Sequence, residues 1–281
     1  MTKHLVIAVL AALMLPATAL ADPVSEGDRL SAADICQTQR GAMGVAQFKL
    51  AYGTNHDRSN AYGKCVSRQT RAMHAARHAA VQQCQAERRD PNFAQTHGGK
   101  TFEQFYGGGK KNALQNCIAQ KTQTAQQQQT ERGINAAKAC KAQRTAMGAA
   151  DFGLLYGTNA NRRNAFGKCV SRLESESETH EQNAAQQCRA EQADPTFPAA
   201  HGGKTFGEFY GRNANDSDAF GNCVSSKAKA AAAERQQAVI NAAKMCKAER
   251  AANPTAFRNK YGTNANKSNA FGRCVAQHAK D

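Results

Sequence analysis

Three kinds of residue in this chain have types and spacings that could do chemistry. Gly99-Lys100-Thr101 and Gly203-Lys204-Thr205 end like a phosphate-binding loop. That loop needs its first glycine where Ala94 and Pro198 stand, and it follows a strand that neither segment has. His180-Glu181 opens like a zinc-protease helix, but Ala184 occupies the place of the second histidine. His74 and His78 are spaced i,i+4 and could share a metal ion; two ligands are too few, and solvated helix residues are the simpler reading.

An asparagine-rich phrase could offer oxygens to a hard cation, best in Asn213, Asn215, Asp216 and Asp218. Its spacing is not that of an EF-hand. Neutral asparagine dominates the other copies, which favours turn and cap formation over coordination. The Gly-Gly-Gly-Lys-Lys stretch at 107–111 could touch phosphate, but it coincides with a shortened loop and reads as a flexible turn. No nucleophile, base and orienting group stand at a recognisable spacing. Catalytic, cofactor-binding and metal-binding residues are therefore left unassigned, no cofactor is called for, and a non-enzymatic role is expected.

Cysteine chemistry is more informative. The ten cysteines are Cys36, Cys65, Cys84, Cys117, Cys140, Cys169, Cys188, Cys223, Cys246 and Cys274. Longer and shorter gaps alternate along the chain, and Cys140 and Cys188 repeat Cys36 and Cys84 at one common offset. Five bracketed modules result, in the order A-B-A-B-A. Each ends on a version of one phrase, YGTNHDRSNAYGKC in the first, YGTNANRRNAFGKC in the third, YGRNANDSDAFGNC in the fourth, YGTNANKSNAFGRC in the fifth, and the shortened YGGGKKNALQNC in the second. Repetition this close means one supersecondary unit has been copied.

The elements that must position these residues follow from the same pattern. All 18 Phe and Tyr lie inside the cysteine brackets, and in every module a Phe precedes a Tyr by four residues, from Phe48 and Tyr52 to Phe257 and Tyr261. Residues i and i+4 share a helix face. The glycine after each Tyr suits a left-handed helix end. Asn60, Asn112, Asn164, Asp218 and Asn269 each stand five residues before the closing Cys and are expected to cap the next helix. The intervening segments are rich in Ala, Gln, Lys, Arg and Glu, so they should be long connecting helices. The expected fold is all-α, a repeat of five disulfide-stapled helix-loop-helix modules joined by long helices. Its parts are a signal peptide at 1–21, module 1 at 22–66, and connector-plus-module units at 67–118, 119–170, 171–224 and 225–281.

Lys3 and His4 precede an apolar run from Leu5 to Leu15, and Ala19 and Ala21 suit signal-peptide cleavage near Ala21. Export to a periplasm or medium is expected, with no transmembrane segment in the mature chain. The formal charge is +15, of which cleavage would remove only Lys3. The first connector carries Arg68, Arg71, Arg77, Arg88 and Arg89, whereas its counterpart one super-repeat later carries Glu174, Glu176, Glu178 and Glu181. A uniform basic surface is not expected, which leaves room for a local basic patch in the amino-terminal half. The expected role is an exported, non-catalytic binding or structural scaffold of a bacterial-type envelope or secretome. The alternative is a basic module whose partner is an anionic polymer, another envelope component or a membrane surface.

On one helix, Cys65 and Cys84 would lie about 28 Å apart at ~1.5 Å per residue, beyond the reach of a disulfide. Pairing should therefore stay within modules. Peptide mapping without reduction should recover Cys36–Cys65, Cys84–Cys117, Cys140–Cys169, Cys188–Cys223 and Cys246–Cys274; a dominant peptide joining two modules would overturn the bracket argument.

Overall fold

The computed structural model describes residues 24–108, 112–213, 216 and 218–280. The expected signal peptide lies outside the described residues, as do Gly109, Lys110, Lys111 and Asn215. In chain order the helices are α1 (Glu26–Met43), α2 (Val45–Tyr52), α3 (Ala61–Arg89), α4 (Phe93–Thr96), α5 (Phe102–Gly107), α6 (Ala113–Met147), α7 (Ala149–Tyr156), α8 (Ala165–Ala193), α9 (Phe197–Ala200), α10 (Phe206–Tyr210), α11 (Ala219–Ala252), α12 (Pro254–Tyr261) and α13 (Ala270–His278). No strand occurs among the described residues.

The Ala- and Gln-rich connectors form the middle of long helices. α3, α6, α8 and α11 each begin four residues before the closing cysteine of one module and run on past the opening cysteine of the next. At 35 residues, α6 is about 52 Å long at ~1.5 Å per residue. Disulfides join Cys36–Cys65, Cys84–Cys117, Cys140–Cys169, Cys188–Cys223 and Cys246–Cys274, with Cα separations of 5.9 to 6.1 Å. Each bridge staples the helix that enters a module to the helix that leaves it, beside the hairpin that reverses the chain. On the chain-entropy model, a closed loop of this size contributes roughly 3–4 kcal/mol.

Inside each module the Phe–Tyr pair packs ring against ring, with centroids 4.9 to 5.0 Å apart. The Tyr hydroxyl then donates to the residue three positions after the opening cysteine. The bonds are Tyr52 to Gln39 (2.6 Å), Tyr106 to Glu87 (2.9 Å), Tyr156 to Gln143 (2.5 Å), Tyr210 to Glu191 (3.0 Å) and Tyr261 to Glu249 (2.9 Å). Burial pushes the Tyr156 phenol up to about 12, so it stays protonated as a donor. The residue four before each closing cysteine is always Ala (Ala61, Ala113, Ala165, Ala219 and Ala270), and all five are buried. A small side chain one turn from the sulfur leaves room for the bridge.

Because every module reverses the chain, odd and even modules fall at opposite ends of the helix bundle. The cysteines and Phe–Tyr pairs of modules one, three and five share one core, with Phe166 and Phe271. Modules two and four each keep a smaller core of their own, around Phe93 and Phe102 or Phe197 and Phe206. The odd modules stack in one direction. α8 starts against the C-terminal turn of α2, where a Cβ on Gly167 would lie 2.7 Å from the Ala51 carbonyl oxygen. α13 meets α7 in the same way, with Gly272 facing the Leu154 and Leu155 carbonyls. The matching turn of α12 carries exposed Asn259 and Lys260. At the other end of the stack Tyr62 is 39% exposed, whereas its counterparts Phe166 and Phe271 are 4% and 2% exposed.

The stacking contact separates two glycines that the sequence makes equivalent. Gly167→Ala should lower stability by about 1–3 kcal/mol, the scale of forced overpacking. Gly63→Ala, with open space around its Cβ, should be neutral or stabilising by up to about 1 kcal/mol. Thermal melts of the two variants test this, and equal effects would refute the stacking geometry.

Candidate functional site

The asparagine-rich loops connect each short helix to the next long one. Asn60, Asn112, Asn164, Asp218 and Asn269 do occupy the position before the long helix, but none of them caps it. This corrects the expectation of helix caps. A capping residue usually has an extended backbone, whereas Asn164 has φ −85 and ψ 0, which turns the side chain back over the loop. Its Oδ1 accepts from the Thr158 amide (3.1 Å), and its Nδ2 donates to Thr158 Oγ1 (2.7 Å). Asn60 with Thr54, and Asn269 with Thr263, repeat both bonds. Asp218 keeps the acceptor half, taking the Arg212 amide at 3.0 Å, and that bond holds its carboxyl below the usual range. Asn60, Asn164, Asp218 and Asn269 are latches that close a loop, not helix caps.

The glycine after the Tyr is also different from expectation. Gly53, Gly157, Gly211 and Gly262 have ordinary negative φ. The left-handed residue comes five positions later, at Arg58, Arg162, Asp216 and Lys267, with φ between 51 and 58. A Cβ on Gly53 would sit 2.4 Å from the Cβ of Arg58, so glycine is needed there for close approach. A non-glycine residue in this conformation costs roughly 1–2 kcal/mol. In the second module Gly108, which ends α5, is left-handed.

The loops of modules one and three come together and enclose a cleft of about 780 Å³. Arg58, Lys64, Arg68 and Arg71 from module one and α3 line it, with Arg163 and Lys168 from module three and α8. Asn55, Asn159, Asn161, Asn164 and Ser171 complete its polar wall, and no Asp or Glu is among the lining residues. Arg68 is fixed at the base: its Nη1 donates to Ser171 Oγ (3.0 Å), and its other terminal nitrogen pairs with Glu174. Burial pushes the Glu174 carboxyl above its usual range, against the pull of Arg68. Arg58 donates from Nη2 to the Arg163 carbonyl (2.7 Å), while its Nη1 is buried without a hydrogen-bond partner. Burial, Arg163 and Arg144 together hold the Arg58 pKa below its usual value.

Sequence reading singled out Arg68 and Arg71, but not Arg58, Lys64, Arg163 or Lys168. One signal was available: the residue before the closing cysteine is Lys64, Lys168 or Arg273 in the odd modules, but Asn116 or Asn222 in the even ones. Those asparagines bond the Tyr106 and Tyr210 carbonyls, so the even modules spend this position on their own loop. The arginines of α3 and the glutamates of α8 had seemed unrelated, yet Arg68 and Glu174 meet across the module boundary.

The remaining candidates are structural. Thr101 and Thr205, which end the two Gly-Lys-Thr runs, cap α5 and α10 through capping boxes. His74 and His78 pack edge to face at 4.8 Å, and His74 approaches Asp28 at 3.4 Å. Asp216 packs on Gly207 and Gly211 through its left-handed backbone, and Asp218 is the latch. Glu249, Cys274 and His278 also converge, but Cys274 is bonded to Cys246, while Glu249 and His278 both contact the Tyr261 hydroxyl. No protein-family model, curated protein or solved structure matches the chain.

A latch and a cap respond differently to serine. Asn269→Ala should cost about 1–2 kcal/mol for two lost hydrogen bonds. Asn269→Ser should be equally destabilised, because serine is a good cap but lacks the two-headed amide that spans the loop. Recovery of the melting temperature by serine would restore the capping reading.

Proposed function

We propose that this protein is an exported, non-catalytic binding module that takes up an anionic polymer in the cleft between its first and third modules. The observation that carries the reading is the convergence of six cationic side chains with no carboxylate among the lining residues. Like charges brought together raise the local potential and concentrate anions there. The cleft is concave and set between two loops, which suits a strand of polymer better than a membrane surface. Five disulfides fit an oxidising compartment, and no helix among the described residues is long and apolar enough to cross a membrane. The signal peptide at residues 1–21 supplies the export route in this reading. Scaffold and binder are compatible here, since the staples hold the loops in place and the loops hold the cations.

The test is salt-dependent binding to an anionic polymer such as heparin. Affinity should fall as salt rises, because bound cations release counterions. The Lys64→Glu, Lys168→Glu double variant should bind at least tenfold more weakly, with a log–log salt slope smaller by about one per lysine. Salt-independent retention, or wild-type binding by the double variant, would reject the proposal.

A further inference from the structure

We infer that the group seated in this cleft is a tetrahedral oxyanion, phosphate or sulfate, gripped by Arg58 of the first module and Arg68 of α3 together with Arg163 and Lys168 of the third module. This rests on the anionic-polymer reading and names the chemistry it recognises. Arg58 is the residue that points to it. Its backbone is left-handed, like those of its counterparts Arg162 and Lys267. Those two put their side chains to local use: Arg162 donates to the Gly153 carbonyl at 3.3 Å, near the end of its own short helix, and Lys267 bonds Asn259 on its own α12. Cations near a helix C-terminus are favourable.

Arg58 has no such bond within its own module. It reaches across to the Arg163 carbonyl instead, and so places one guanidinium nitrogen in a buried position with no acceptor. A buried donor without a partner is destabilising, and the positive charges of Arg163 and Arg144 add to the burden. An oxyanion drawn into the cleft offsets the neighbouring charges and gives this guanidinium an acceptor once it turns toward the ligand. Arg68 is already held by Ser171 and Glu174, so its guanidinium is preorganised and loses little freedom on binding.

The form of the anion follows from number and direction. Six cations converge from two loops and two helices, far more than one planar carboxylate can engage. A tetrahedral group presents oxygens in several directions, and guanidinium groups bind such oxygens in pairs. Tyr52 is buried with its hydroxyl bound to Gln39, so among the lining residues the one exposed ring is the His56 imidazole. Six cations against a single imidazole make recognition chiefly of the charged groups of a polymer.

Calorimetric titration with pyrophosphate, inorganic sulfate and acetate at low ionic strength tests the inference, with circular dichroism confirming that each variant is folded. Pyrophosphate or sulfate should bind the wild type, and acetate should bind at least tenfold more weakly. Arg58→Lys keeps the charge but loses the fork, and should weaken oxyanion binding at least tenfold. Arg162→Lys makes the same change at the same backbone position outside the cleft, and should stay within twofold of wild type. Competition by polyphosphate or by dextran sulfate then distinguishes a phosphate source from a sulfate one. Equal effects of the two arginine variants, or acetate as good as pyrophosphate, would overturn the inference. If heparin binds with the expected salt dependence and neither small oxyanion binds, this inference fails while the polymer reading stands; if nothing anionic binds, both fail.

Discussion

Every module is measured from the point where its entering and leaving helices are joined by sulfur at a Cα separation near 6.0 Å. A helix pair pinned at one point can still rotate about it. What removes that freedom is the arrangement of side chains on either side of the bridge. One turn before the closing cysteine a buried Ala admits the neighbouring helix. Three residues after the opening cysteine a Gln or Glu receives the Tyr hydroxyl, and that Tyr carries the Phe four residues behind it into the core. The short helix is thereby fixed against both long ones, and the loop that leaves it starts from a known place and direction. The cleft between the first and third modules inherits its geometry from these two fixed departures.

Much of this was legible in the sequence because it depends on local spacing. The brackets, the long helices through Cys65 and Cys84, and the Phe–Tyr pairs all follow from helical periodicity and from the reach of a disulfide. The Cys-x-x-Gln/Glu pattern was equally plain in the letters, although its partner, the Tyr hydroxyl, becomes evident only once the hairpin has closed. The latch asparagines were placed correctly but given the wrong task. Their position before a helix allowed capping, and what decided against it was a backbone torsion set by the loop, to which a spacing argument is blind.

The cleft was illegible for a different reason. Arg58 and Arg163 stand 105 residues apart and belong to modules that are not neighbours along the chain. Comparing connectors one super-repeat apart revealed arginine on one side and glutamate on the other, which looked like loss of a basic pattern. Folded, the same difference is complementarity: Arg68 meets Glu174, and Arg132 meets Glu181 where α6 and α8 run side by side. The acidic helix neutralises part of α3 from behind and leaves the cations of the loop-facing side unopposed. Periodicity finds faces of single helices, whereas electrostatic surfaces belong to pairs of them.

The direction of the odd-module stack bears on how such a chain could grow. Leu50-Ala51 and Leu154-Leu155 each receive the glycine of a following module, whereas Asn259-Lys260 offers a charged, hydrated turn to whatever comes next, and at the opposite end Tyr62 replaces the buried Phe. Terminal units with polar outer faces are what keep a linear array finite and soluble. Gene duplication of an interior pair of modules would bring its own adhesive turn with it, whereas a module stacked on α12 would meet a charged turn in place of an apolar one.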